Sequence, residues 1–153
     1  MRSTQVEQHI NAPRSVVYRL LVDPAAVARW RVPDGMRADV HTFEEREGGA
    51  IHVSLTYDAP DATGKTTAHT DSYRGRFERL IPDTQVVELN WFETSDPAMK
   101  GEMRSIITLA DSPRGGTDVS GVHENVPAGV SLADNETGWR MAFEKLAALA
   151  EGR

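Results

Sequence analysis

The sequence contains no cysteine, which removes disulfides, thiol catalysis and thiolate zinc sites from consideration. A cysteine-free chain suits a reducing compartment. With no apolar stretch of signal-peptide length after Met1, the expected location is the cytoplasm. No hydrophobic run approaches the ~20 residues that a membrane-spanning helix requires. Positive charge is in deficit, 17 Lys and Arg against 23 Asp and Glu, for a formal net charge of -6. Phosphate backbones and anionic bilayers are repelled by such a chain on average, so neither nucleic acid nor membrane is an expected partner. The five histidines, His9, His41, His52, His69 and His123, include no pair four apart on a helix. No metal and no other cofactor is expected.

What is present is ordinary globular composition, with 39% hydrophobic and 26% charged residues. The 153 residues suit one domain, 1–153, large enough to enclose a core and a cavity. Residues 3 to 10 alternate, with Thr4, Val6, Gln8 and Ile10 on one side, and Asn11-Ala12-Pro13 stops them. Val16, Val17, Leu20 and Leu21 then recur at helical spacing, and Asp23-Pro24 opens a second short helix to about Trp30. From Arg37 the period is two. Strands are expected through Ala38–Thr42, Ile51–Tyr57, Tyr73–Phe77, Val86–Phe92, Met103–Leu109 and Thr117–His123. The last segment places Trp139, Ala142, Phe143, Leu146, Leu149 and Ala150 on one helical stripe, with Asp134 or Ser131 as its cap.

Strand, two short helices, a meander of strands and one long helix define an α+β class. The simplest way to cover one apolar sheet face with one helix is to curl an antiparallel sheet of about seven strands around it. In chain order, Ala12-Pro13 with Val16-Val17-Tyr18, Asp23-Pro24, Ala28-Arg29-Trp30 with Pro33, and Arg46-Glu47-Gly48-Gly49 resemble the START-like superfamily called SRPBCC. Gly75-Arg76-Phe77 leading to Ile81-Pro82, Gly116-Thr117 leading to His123-Glu124, and Gly138-Trp139 extend the resemblance. They point within the superfamily to bacterial relatives of the heat-shock protein 90 ATPase activators. The resemblance implies the helix-grip fold. Two features depart from it: Arg31-Val32 before Pro33, where the family often has Trp or Gly, and the Asp58–Thr70 insertion.

Several patterns compete with plainer explanations. Ala59–Thr66 fits a relaxed phosphate-binding loop, but a strand follows it where a working loop needs a helix N-terminus, so nucleotide binding is not expected. Arg74, Arg76 and Glu78 form a solvated ladder on one side of their strand. His123 shares parity with Val119 and Gly121, toward the helix, where it is either a hydrogen-bonded strand-end histidine or a group that meets a ligand. Two parities are open for Val86–Phe92. One turns Glu88 and Asn90 inward, where they would need partners; the other turns Val87, Leu89 and Trp91 inward. Gly138, costly inside a helix by about 1 kcal/mol, suggests a close approach to the sheet or to a ligand.

No nucleophile elbow or paired carboxylates can be read from the spacing. The leading expectation is therefore binding of a hydrophobic small molecule, such as a lipid, polyketide-like or aromatic metabolite, between sheet and C-terminal helix. Candidate ligand contacts from the sheet are Val53, Leu55, Tyr57, Tyr73 and Phe77, followed by Met103, Ile107 and His123. The helices would add Trp30, Trp139 and Phe143. An enzyme of cyclase, aromatase or hydrolase type, using His123 with Glu88 or Tyr73, is the alternative. The resemblance alone adds a chaperone as partner, ranked last, and homodimerisation is left open.

Overall fold

A computed structural model describes residues 1–58 and 70–153, so the Ala59–Thr66 pattern and most of the Asp58–Thr70 insertion lie outside the described residues. One sheet holds seven antiparallel strands: β1 Ser3–Ile10, β2 Met36–Phe43, β3 Ala50–Tyr57, β4 Thr70–Ile81, β5 Gln85–Phe92, β6 Met103–Asp111 and β7 Thr117–Glu124. Their order is β1-β7-β6-β5-β4-β3-β2, a meander in which the first strand crosses over to pair with the last. Helices α1 Arg14–Leu21 and α2 Pro24–Trp30 fill that crossover, and α3 Leu132–Ala150 lies in the concave face. This is the α+β helix-grip arrangement implied by the sequence.

Local chemistry sets the boundaries. The Pro13 carbonyl accepts from the amides of Val16 and Val17 as α1 begins. Asp23 caps α2 by accepting from the Ala25 amide at 2.9 Å, with Pro24 in the first turn, where its missing N–H costs nothing. Of the two candidate caps for α3, Ser131 takes the role, accepting from the Asp134 amide at 3.2 Å. Asp134 then sits in the first turn, where its charge suits the helix dipole.

Register shifts between Val40 and Thr42 in β2 and between Phe77 and Arg79 in β4 add twist where the sheet must bend. The turn after β2 closes on the second of these bulges. Gly48, at φ 81°, donates to the Phe77 carbonyl at 2.8 Å, and Phe77 donates back to Gly49 at 3.0 Å. A side chain on Gly49 would stand 2.0 Å from the Glu44 carbonyl oxygen, so only glycine fits there.

The core lies between the concave face and the helices, with Ile10, Val17, Leu21, Trp30, Phe77 and Leu146 fully buried. Each such side chain contributes about 1.5–3 kcal/mol. The convex face carries charge instead. Arg74 pairs with Glu93 at 3.2 Å, Arg76 with Glu102 at 3.4 Å and Arg104 with Glu78 at 2.9 Å. Exposed pairs of this kind add little stability and keep the open face solvated.

Candidate functional site

The β5 strand settles its parity in the direction that costs more. Glu88 is 2% exposed and Asn90 4% exposed, both on the concave face with Val86, while Leu89 and Trp91 are only partly buried. A buried carboxylate requires a counter-charge. Arg31, the residue that closes α2, supplies it. One guanidinium nitrogen donates to both Glu88 oxygens, at 2.8 and 3.0 Å, and the Arg31 backbone amide is held by Val27 at 3.0 Å. Burial works against charge on Arg31, but Glu88 outweighs it and holds the guanidinium more firmly protonated than usual. The same guanidinium lies 5.2 Å from the Tyr73 ring centre and 5.0 Å from that of Trp139, within cation–π range of both.

Strand register extends this pair into a polar row across the sheet. Glu88 lies opposite Ser105, Ser105 opposite His123, and His123 opposite Thr4, so four adjacent strands each place a buried polar residue at one level. From α3, Asn135 reaches the far end of the row, 2.6 Å from the Thr4 hydroxyl and in hydrogen-bond contact with His123. The His123 ring packs against Trp139 with centres 4.1 Å apart. Burial first, and then the charge of Arg31, push the His123 pKa down to about 3, against the Asn135 bond. His123 is therefore a neutral imidazole at physiological pH.

Above the row is a pocket of about 240 Å³ between the sheet, the first half of α3 and the segment after α2. Its walls are mainly apolar, with Val32, Met36, Leu55, Phe92, Met103 and Trp139. Arg31, Asp71, Tyr73, Asn90 and His123 add polar groups. The Tyr73 hydroxyl and one end of the Asn90 amide are buried and meet no hydrogen-bond partner among the described residues. Gly138 opens onto the same space, where an added Cβ would touch nothing within 4 Å. The close approach to the sheet suggested by a mid-helix glycine is absent, and the pocket occupies the volume above it. Two polar clamps hold the rim. Arg2 donates to the carbonyls of Val126, at 3.2 Å, and Val130, while Lys145 bonds Asp34 at 2.9 Å and the Val32 carbonyl.

Of the eleven candidate contacts, Leu55, Tyr73, Met103, His123 and Trp139 are brought together around this pocket. Val53, Phe77, Ile107 and Phe143 point inward as expected but are close-packed in the core. Trp30 is also core: it is 6.5 Å from Trp139, and its indole N–H donates to the Leu20 carbonyl at 2.9 Å. Tyr57, at the end of β3, is half-buried and off the pocket wall. The sequence reading missed Arg31, Asp71 and Asn135 as site residues. Arg31 had a signal, since it departs from the family pattern and a buried Glu88 would need a cation. Among the described residues no three His, Asp or Glu side chains converge as a metal site, and no helix is long and apolar enough to cross a membrane.

A seven-stranded antiparallel sheet gripping a C-terminal helix beside a polar-lipped pocket defines a helix-grip domain of the SRPBCC type. Residues 11–151 match the family described as Activator of Hsp90 ATPase homolog 1-like protein, and the chain belongs to that family. It is similar to a solved protein of Chromobacterium violaceum, at 29% identity and TM-score 0.87, with 97% of this chain and 96% of the other covered. It shares the fold of the AHSA1 protein of Silicibacter pomeroyi, at 14% identity and TM-score 0.77 over 97% and 96% of the two chains. The same holds for an AHSA1-like protein of Aeromonas hydrophila, at 17% identity and TM-score 0.73 over 99% and 93%. No curated protein matches the chain.

Proposed function

We propose that this protein binds a small, largely apolar molecule in the pocket between the concave sheet and the first half of α3. The observation that carries this reading is an apolar-walled space of about 240 Å³ bordered by Tyr73 and Asn90, each with a buried polar atom that meets no partner among the described residues. Native interiors rarely leave such groups unmet, and mainly apolar pockets with a few convergent polar atoms are the usual form of a ligand site. The Arg2 and Lys145 contacts tie down parts of the rim, which favours affinity because less ordering entropy is lost when a ligand enters.

The geometry weighs against His123 as a general base. Its pKa of about 3 leaves it a weak proton acceptor at neutral pH, and Glu88 is engaged by Arg31. The family's description names activation of an Hsp90 ATPase, which makes a chaperone a subordinate reading for this chain.

The test is titration of the purified protein with naphthalene, followed by quenching of tryptophan fluorescence. It is paired with mass spectrometry of small molecules extracted from natively purified material. Saturable quenching that is lost in Gly138→Phe, whose ring would fill the pocket, is the expected result. Equal quenching in a folded Gly138→Phe variant, with no molecule retained by either protein, would remove this reading.

A further inference from the structure

The polar groups around the pocket constrain the charge of what it holds. Arg31 is the single cation among the described lining residues, and its charge is already met by two bonds to Glu88. The Asp134 carboxylate, on the exposed first turn of α3, borders the same space. An anion entering here would have to compete for Arg31 with the buried carboxylate of Glu88, where screening is weak. A cation fares no better. The aromatic faces that would attract it, those of Tyr73 and Trp139, are the ones that Arg31 already approaches.

The unpartnered groups ask for a hydrogen bond. Tyr73 on β4 lies opposite Phe92 and Asn90 on β5 lies opposite Gly75, so the two are diagonal neighbours two pairings apart on one face of adjacent strands, a separation of about 7–8 Å. Gly75 is required for this arrangement, because a Cβ there would stand 2.6 Å from the Asn90 amide oxygen and 2.4 Å from the Leu89 carbonyl. Burial, the largest influence, holds the Tyr73 phenol protonated against the pull of Arg31, so it remains a donor. The unpartnered atom of Asn90 is its amide oxygen, an acceptor.

Size completes the description. A dry cavity of about 150 Å³ accepts a benzene ring, so about 240 Å³ suits a fused bicycle of roughly ten non-hydrogen atoms. We propose that the pocket selects an uncharged, mainly apolar ligand of about that size carrying one hydroxyl group, which accepts from the Tyr73 hydroxyl and donates to the Asn90 amide oxygen. This rests on the ligand-binding reading above and narrows it.

Three probes of one shape separate the possibilities: naphthalene, 2-naphthol and 2-naphthoate, titrated at pH 7 by tryptophan quenching. The expected order is 2-naphthol tightest, by about tenfold over naphthalene, the scale of one buried hydrogen bond, with 2-naphthoate weakest. In Tyr73→Phe and in Asn90→Leu the advantage of 2-naphthol over naphthalene, taken as a ratio within each folded variant, should fall below about threefold. Tightest binding by 2-naphthoate would make this an anion site. Equal affinities for naphthalene and 2-naphthol, or an advantage that survives both substitutions, would overturn the selectivity while leaving the pocket as a binding site. Failure of all three probes to bind the folded protein would remove both.

Discussion

Along α3 the early turns and the later ones rest on different ground. Asn135, Gly138, Trp139 and Ala142 border the pocket, whereas Phe143, Leu146 and Ala147 are buried in the core. The sealed half is packed to the limit of space: Gly121 has no side chain because a Cβ there would lie 2.6 Å from the Phe143 ring. In the open half the reverse holds, since Gly138 lacks a side chain where one would have ample room. Two glycines therefore have opposite meanings, one a contact and one a reserved space. Stability resides mainly in the sealed half. The open half carries groups that are costly to bury, and that cost points to use rather than to folding.

The largest expected effect tests whether the open half depends on its ion pair. Arg31→Met or Glu88→Leu alone should lower unfolding free energy by about 3–5 kcal/mol, because each leaves one buried charge unpaired. The double substitution should recover most of that loss, since two apolar side chains of similar volume need no counter-charge. Urea unfolding of the four proteins measures the coupling. Additive losses would mean that water reaches the pair and that the open half is wetter than its burial implies.

Acid should act on the same half. Folding lowers the His123 pKa from 6.5 to about 3, so below pH 6.5 the unfolded chain binds a proton that the folded chain refuses. Stability from this group is whole above pH 6.5 and is lost progressively as pH falls toward 3. Between pH 7.5 and 5 it should account for about 2 kcal/mol, and unfolding curves for His123→Asn should lack that part of the slope. In the sealed half, Gly121→Ala should cost on the order of 1–2 kcal/mol by forcing the Phe143 ring off its seat, with no change in probe binding. Urea midpoints and naphthalene titration read the two outcomes separately.

The sealed half was also the more legible in sequence. Alternation at Val6 and Ile10, at Ile51 and Val53 and at Val119 and Gly121, with the helical stripe that carries Phe143 and Leu146, specifies both faces without ambiguity, because burial of apolar area is a local, repeated signal. The pocket is written differently. Arg31 and Glu88 are 57 residues apart and each looks anomalous alone; only β5 register and the end of α2 bring them together. Knowing that Phe77, Ile107 and Phe143 face inward could not reveal that they fill space while Tyr73 and Met103 border it. Strand parity gives a side, whereas the distance from sheet to helix at each level depends on bulges and on Gly121.

The smallest expected effect separates the two halves most directly. Gly138→Ala adds a methyl group that meets nothing within 4 Å and replaces the helix residue with the greatest conformational freedom apart from loops. If the pocket is held for a ligand rather than for folding, the substitution should raise unfolding free energy by about 0.5–1 kcal/mol while weakening naphthalene binding several-fold. A stability gain with unchanged binding would place the ligand away from α3, against the β3 and β4 walls. A stability loss would show that Gly138 does make a close contact, and that the helix settles deeper into the sheet than the open space above this residue implies.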